Sequence, residues 1–296
     1  MLELDFVINR RARRVQSAAL QDRLRQRFEG RCLRFHDDPT QVPEGEPVSR
    51  LVIAAGGDGT INRTLNVLGD RLMNFAVLPL GTSNDLATHL GIPREIDAAC
   101  DLIEAGAFQA IDLIRVNDWR MATCGGMGFA VDVAVQANEW KASRMRALFR
   151  MLGPLIYPCA TVRQLAAGRK VIDATLTVDG VTERLPLSIA MVSNQPRFGK
   201  RFSTSPEACN TDGLLHLGVF GPALGVFGMP RIATRIYLAQ PNRCPEARQI
   251  KAKEFTLTTA APVPFFGDGE VLGVADHFKV RCEAAALRII SPVQGG

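Results

Sequence analysis

The sequence predicts an α/β first domain, a parallel sheet with helices, followed by a second domain of antiparallel strands. Three observations predict it. Up to residue 113, short β-branched runs alternate with segments of helical spacing, the pattern of a parallel sheet. After Ile111-Asp112-Leu113 strand follows strand, with turns at Asn117-Asp118 and Asp179-Gly180; such runs belong to antiparallel sheets. Two successive strands of the first domain also end in polar, glycine-bearing turns, at 56–60 and 81–85. Open α/β sheets bind ligands outside the carboxyl ends of their strands, so the two turns are expected to share one site.

Residues 4–9 read as the first strand, followed by the cluster Arg10, Arg11, Arg13 and Arg14. Segment 18–28 sets Leu20, Leu24 and Phe28 four residues apart, on one helix face. The second strand is 32–35; Pro39, Pro43 and Pro47 then exclude a regular helix over 37–50. A third strand (51–55), a helix (61–68), a fourth strand (74–80) and a short helix (86–90) follow. Segment 96–105 is a helix, with Asp97 in its first turn and Gly106 past its end. In the second domain 115–135 and 171–189 read as strands, interrupted by a helical 142–167 broken at Gly153-Pro154. Further strands are expected at 214–220, 254–259, 278–282 and 287–290. Within the helical insert, apolar Met145, Leu148, Phe149 and Leu152 alternate with Arg144, Arg146 and Arg150. Two readings stay open for it: a helix packed on the second sheet, or a basic amphipathic lip lying on an anionic bilayer.

Composition sets the class. The 296 residues are 47% hydrophobic and 22% charged with a net charge of +5, an ordinary globular balance long enough for two domains. Seven scattered cysteines, no C-x-x-C pair and only four histidines argue against a zinc site, and the cysteines read as reduced thiols of a cytoplasmic protein. Glu3 and Asp5 interrupt any apolar leader. The most apolar stretch, 213–230, carries glycines, Pro222 and His216, which argues against a membrane-spanning helix. Any contact with a membrane is therefore peripheral. The arginine clusters lack interleaved aromatics, which argues against nucleic acid.

Three turns carry chemistry. Gly56-Gly57-Asp58-Gly59-Thr60 empties from the apolar run Leu51-Val52-Ile53 into a helix. Helix N-termini receive anions, so the turn is a phosphate-approach loop or, alternatively, an empty strand-to-helix turn. Gly81-Thr82-Ser83-Asn84-Asp85 holds three capping residues in a row, more than one helix start requires. Gly267-Asp268-Gly269-Glu270 is an acidic turn far downstream.

Together these motifs resemble the diacylglycerol-kinase-like lipid kinases, in particular their bacterial YegS-like branch. The resemblance rests on Gly56 to Asn62, Pro79 to Ala87, Thr211-Asp212-Gly213-Leu214-Leu215, Asp268-Gly269-Glu270 and the closing Ala285-Ala286-Leu287-Arg288, in that order along the whole chain. It implies an α/β nucleotide-binding domain over 1–113, joined by a returning last strand at 284–296, and a β-sandwich lipid-substrate domain over 114–283. The active site would then lie in the cleft between them. The implied activity is an ATP- and Mg2+-dependent kinase acting on a lipid hydroxyl, such as that of diacylglycerol, phosphatidylglycerol or a sphingoid lipid. It would work peripherally at the cytoplasmic face of the inner membrane.

By the same resemblance, Asn9, Gly56, Gly57, Asp58, Gly59, Thr60, Ile61, Asn62, Gly81, Thr82 and Asn84 contact the nucleotide. Asp58, Asp85 and Asp112 form the acidic cluster for the catalytic Mg2+ and its waters. Glu270 accepts the proton of the lipid hydroxyl, with Asp268 as partner or alternative. Cys209, Asp212 and Leu214 hold a structural Mg2+ or Ca2+. The sequence departs from the family at Asn9-Arg10-Arg11-Ala12-Arg13, where arginines replace the usual Pro and Gly, and at the proline-rich 37–50. Those departures motivate a second reading, a nucleotide- or lipid-binding regulator that has lost the chemistry. An NAD kinase is disfavoured by Asp268-Gly269-Glu270.

Overall fold

The computed structural model describes residues 3–8, 17–44, 49–72, 74–143, 155–168, 171–199, 201–223 and 227–292. Four parallel strands begin the chain: β1 (Glu3–Ile8), β2 (Leu33–His36), β3 (Arg50–Gly56) and β4 (Asn74–Pro79). They lie in the order β2-β1-β3-β4. Between them run α1 (Ser17–Arg27) and α2 (Asp58–Leu68), followed by α3 (Asp85–His89) and α4 (Ile96–Ala105). The period-two alternation of a strand sorts the apolar side chains to two faces. In β3, Val52 and Ala54 face a core shared with Ile61, Leu65 and Leu68 of α2. Leu51, Ile53 and Ala55 face the opposite core, with Leu20 and Leu24 of α1 and Ile103 of α4. The result is a three-layer sandwich whose strand ends are left free for loops.

The second half is antiparallel and forms the β-sandwich. Its strands are β5 (Phe108–Val116), β6 (Trp119–Met121), β7 (Cys124–Gly128), β8 (Ile172–Val178), β9 (Val181–Leu187) and β10 (Ile189–Ser193). They are joined by β11 (Leu215–Phe220), β12 (Ala247–Ala252), β13 (Glu254–Gly267) and β14 (Glu270–Ile290). The last strand links the halves. Its first part pairs antiparallel with β13, and its end lies parallel to β4, with Arg288 opposite Asn74 and Ile289 opposite Phe75. A register shift between Glu283 and Leu287, with Ala285 at φ 51°, bends the strand between these two roles.

Among the described residues three helices cover this half: α5 (Phe129–Ala142), α6 (Ile156–Ala166) and α7 (Gly228–Tyr237). Here the structure corrects the sequence reading. Residues 129–135 are helix rather than strand. Valines at 131, 133 and 135 mimic period-two alternation, but the chain turns at Gly128 (φ 94°), and Ala130, Ala134 and Ala137 favour a helix beyond it. The α7 helix was not anticipated, because Pro230 reads as a breaker. Pro230 sits in the first turn, where its missing N–H costs nothing. The arginine cluster at 10–14 and residues 144–154 of the insert lie outside the described residues. Among the described residues, no helix is long and apolar enough to cross a membrane.

Candidate functional site

The first turn of α2 is the foundation of the site. Gly57 is its N-cap in an extended conformation and no side chain caps it. The opening N–H groups of a helix have no carbonyl one turn back, so they point outward as donors. Asp58, within that turn, reaches across to the next loop: its carboxylate accepts from Asn84 N (2.9 Å) and Asp85 N (2.7 Å). Asn84, buried and at φ 53°, accepts from Gly81 N (3.0 Å) and donates to the carbonyls of Pro79 and Gly81. These bonds lock the two glycine loops back to back.

Their contact leaves no room for a methyl group. A Cβ on Gly57 would lie 3.0 Å from Gly81 Cα, and one on Gly81 would overlap Gly57 Cα and stand 2.6 Å from Asn84 Oδ1. Gly81→Ala is therefore expected to destabilise the fold by about 1–3 kcal/mol, read as a lower thermal unfolding midpoint. An unchanged midpoint would mean the loops part without cost.

The acidic turn arrives from the other half of the molecule. Asp268 (φ 49°) and Gly269 (φ 93°) form the two-residue loop between β13 and β14, closed by the Gly267–Glu270 pair; both positive angles fit the hairpin turn such loops prefer. The turn sends its two carboxylates to different places. Asp268 is buried, 5% exposed, and accepts from Ala122 N (2.8 Å), Thr123 N (2.9 Å), Thr123 Oγ1 (2.6 Å) and Asn62 Nδ2 (3.1 Å). Glu270 is exposed and its side chain makes no hydrogen bond among the described residues. Its Oε1 lies 3.2 Å from where a Gly59 Cβ would stand. The exposed carboxylate of one half thus faces the first turn of α2 in the other.

Charge accumulates at this junction. Burial, then Asp85 and, against its N–H bonds, Asp268 push the Asp58 carboxyl up to about 6. The buried Cys124 thiol is raised by burial and then by the charges of Asp268, Asp85 and Asp58. No Lys or Arg is among the groups that act most on Asp58. Asp85 is further tied to Gly199 N at 2.8 Å.

Asp112, the third member of the expected acidic cluster, has both carboxylate oxygens bonded to backbone. Its oxygens accept from Ala285 N and Gly213 N, both at 2.7 Å, pinning the bend in β14 and the loop before β11. Asp268 also raises the Asp58 carboxyl by its charge. Among the described residues no group of three or more His, Cys, Asp or Glu is arranged to hold a metal directly. A divalent ion fits here only through water and phosphate oxygens, which is the habit of Mg2+. The carboxylates of Asp58 and Asp85, held on adjoining loops, suit such an ion.

Other expected residues are placed by packing and hydrogen bonds. Ile61 is a core residue, and Thr60 is buried. Thr82 is exposed at the loop tip. Asn62 turns to Asp268 and to the Arg120 carbonyl (3.1 Å), with Asn66 beside it bonding both the carbonyl and the N–H of Arg120. The pair fastens α2 to β6. Asp212 meets His216 Nε2 at 2.8 Å and accepts from Leu214 N at 3.0 Å, while Cys209 Sγ contacts Thr211 Oγ1. A histidine thus partners one oxygen of the carboxylate expected to hold a structural cation, and the other accepts the Leu214 N–H. Asn9 lies outside the described residues.

Sequence reasoning missed Thr123, which holds Asp268, and Asn194, whose amide bonds the Asp112 carbonyl at 2.6 Å. For Asn194 there was a signal. Ser193-Asn194-Gln195 is a polar run directly after an apolar strand, and all three are buried.

Comparison with known proteins agrees with this arrangement. Residues 6–116 match the diacylglycerol kinase catalytic domain, and residues 127–291 match the YegS C-terminal NAD kinase beta sandwich-like domain. A Klebsiella pneumoniae protein named "Probable lipid kinase YegS-like" is 30% identical over 269 residues, covering 89% of this chain and 83% of that one. An uncharacterised Synechocystis protein is 26% identical over 249 residues, 82% of this chain; the match spans only 55% of that longer relative. A crystal structure of a diacylglycerol kinase from Bacillus anthracis shares the fold, with a TM-score of 0.75, 21% identity and coverage of 98% of this chain and 97% of that one. The chain belongs to the diacylglycerol-kinase-like lipid kinases, in their YegS-like branch.

Proposed function

We propose that the protein transfers the γ-phosphoryl group of ATP to a hydroxyl of a lipid, of the diacylglycerol, phosphatidylglycerol or sphingoid class. The observation that carries this reading is the placement of Glu270, exposed and free of partners among the described residues, against the first turn of α2. Phosphoryl transfer needs positioning and charge neutralisation more than covalent chemistry. The N–H groups of Gly57, Asp58 and Gly59 receive phosphate oxygens, and Thr82 adds a hydroxyl from the neighbouring loop. Asp58 and Asp85 would hold Mg2+ through water, and the ion would supply neutralisation of phosphate charge. Glu270 takes the proton of the attacking hydroxyl, for which a general base must lie within hydrogen-bond reach. Asp268 sets the turn that carries Glu270. The division into a nucleotide domain over 1–113 with 284–296, and a lipid domain over 114–283, belongs to the same proposal.

Labelled ATP, Mg2+ and a panel of diacylglycerol, phosphatidylglycerol, ceramide and sphingoid base form the test, with NAD as a control acceptor. Labelled lipid is the expected product. Label on NAD alone would reassign the enzyme. ATP binding by a folded sample without transfer to any acceptor would favour the binding-regulator reading, which rests on the altered segments 9–13 and 37–50.

Asp58 also gives a pH dependence. Its folded-state pKa of about 6 lies above the ordinary carboxylate value of 3.8, so its contribution to stability is present below 3.8 and is lost as pH rises through 6. Ionised, it costs the metal-free protein about 3 kcal/mol. A cation that neutralises it recovers that cost only where the group is ionised. The rise in unfolding midpoint on adding Mg2+ and nucleotide should therefore be larger at about pH 8 than at about pH 5. Equal shifts at both pH values would remove Asp58 from the cation's surroundings.

A further inference from the structure

Two helices leave apolar residues in water where globular helices place polar ones. On α6, Leu155, Cys159, Val162 and Ala166 recur at i, i+4, i+7 and i+11 and are all exposed, Leu155 by 58% and Val162 by 65%. The buried face is opposite: Ile156 and Ala160 pack on Val133 and Ala137 of α5. On α7, Phe227, Arg231, Thr234 and Leu238 repeat the same spacing and are exposed, Phe227 by 80% and Leu238 by 50%. Its inner face is Met229, Ile232 and Ile236, in a cluster that Leu165 of α6 also joins. The two stripes thus belong to neighbouring helices on one apolar layer.

The sequence segments that carry these helices hold bases and no acids. Residues 141–170 contain seven Lys and Arg and no Asp or Glu, and residues 221–243 contain three Arg and no Asp or Glu. Elsewhere the chain is rich in acids, with 30 among its 296 residues. Of the helical arginines, Arg231 pairs with Glu246 and Arg163 bonds Gln136. Exposed apolar side chains set among cations match a surface that is apolar beneath and anionic on top.

Both helices also border the candidate site. Gln136 and Asn138 of α5 reach in opposite directions, to Arg163 of α6 (2.8 Å) and to the Gly269 carbonyl in the acidic turn (3.3 Å). On the other side, Gly199 bonds Asp85, and Phe198 stacks on Phe202, which meets the ring of Tyr237 edge-on at 5.7 Å. The path from α6 to a carboxylate-bearing loop has two contacts and that from α7 has three.

We propose that the outer faces of α6 and α7 form the surface by which the protein docks on an anionic lipid leaflet, presenting the site to lipid hydroxyls. This deepens the proposed function and rests on it for the purpose of docking, though the docking itself is tested without turnover. A second copy of the chain is the competing occupant, and the excess of bases on the two helical segments disfavours it by self-repulsion.

The test is co-sedimentation of the full chain with vesicles of phosphatidylcholine, with and without phosphatidylglycerol. The variant is Val162→Ser, Phe227→Ser and Leu238→Ser together, all at exposed positions where substitution leaves stability nearly unchanged. Wild type should bind the anionic vesicles, and the variant should bind them at least tenfold more weakly, with an unaltered unfolding midpoint. Equal binding by the two proteins, or no binding by wild type, overturns the proposal. So does a wild-type dimer in sedimentation velocity that the same substitutions dissolve, which would give the face to a second copy. Transfer to a short-chain, water-dispersed acceptor should survive in the variant. Vesicle binding without transfer by either protein would leave the docking face standing and remove the kinase.

Discussion

Replacing Glu270 by glutamine is expected to lower the rate of phosphoryl transfer by roughly 10²–10⁴-fold while the unfolding midpoint stays in place. The side chain is exposed and unbonded among the described residues, so nothing in the fold depends on its charge. Glutamine keeps its volume and one oxygen and removes only the ability to take a proton. Surface substitutions of this kind stay within about 0.5 kcal/mol of the parent. The loss should fall on kcat, with ATP affinity little changed, because the phosphate loops lie on other elements. A variant that unfolds earlier, or that loses nucleotide binding, would show Glu270 to be structural.

Asp268→Ala should behave in the opposite way, with stability and activity falling together. The carboxylate is buried and receives four donors: two backbone N–H groups, a hydroxyl and the Asn62 amide. Truncation leaves them without an acceptor in a buried place, and a buried donor left unpaired costs about 1–3 kcal/mol. Since water can enter the space and relieve part of this, about 3–5 kcal/mol in all is the expected loss, a large share of a domain's stability. Chemical denaturation measures it. Asp268→Asn should fall between, because its amide accepts at one oxygen only. If Asp268→Ala unfolds at the wild-type denaturant concentration yet is inactive, Asp268 itself would be the proton acceptor. The contrast between these two neighbours, one residue apart from Gly269, separates the positioning residue from the base.

Much of this was legible because the signals were local. The β3 run from Leu51 to Ala55 declares a buried strand by composition, and Gly56-Gly57-Asp58-Gly59 after it declares a sharp entry into a helix. Asp268-Gly269 announces a hairpin. The first domain therefore followed from alternation alone, and the helix over Ile96–Ala105 coincides with its sequence reading. Side-chain partnerships across the chain were not legible. Nothing near Asn62 indicates that its amide turns to Asp268, 206 positions away. Asp112 carries the same strand-end signature as Asp58 and Asp85, yet two backbone N–H groups from distant loops claim its oxygens. The helix at 129–135 was misread because three valines at alternate positions obey a strand's period, and tertiary packing outweighs that pattern. The apolar faces of α6 and α7 were only half visible: the excess of arginine shows in the sequence, but which residues lie outward depends on what the inner faces pack against.

The most direct test of the central claim, that Glu270 and the α2 turn form one phosphoryl-transfer site across the two halves, is a single-turnover measurement. Labelled γ-phosphate of ATP is followed onto an acceptor lipid in the presence of Mg2+, with wild type and Glu270→Gln at equal folded concentration. Labelled lipid from wild type, and a rate lower by roughly 10²–10⁴-fold in the variant, is the predicted result. Equal rates for the two proteins, or no labelled lipid from folded wild type with any member of the acceptor panel, would contradict it.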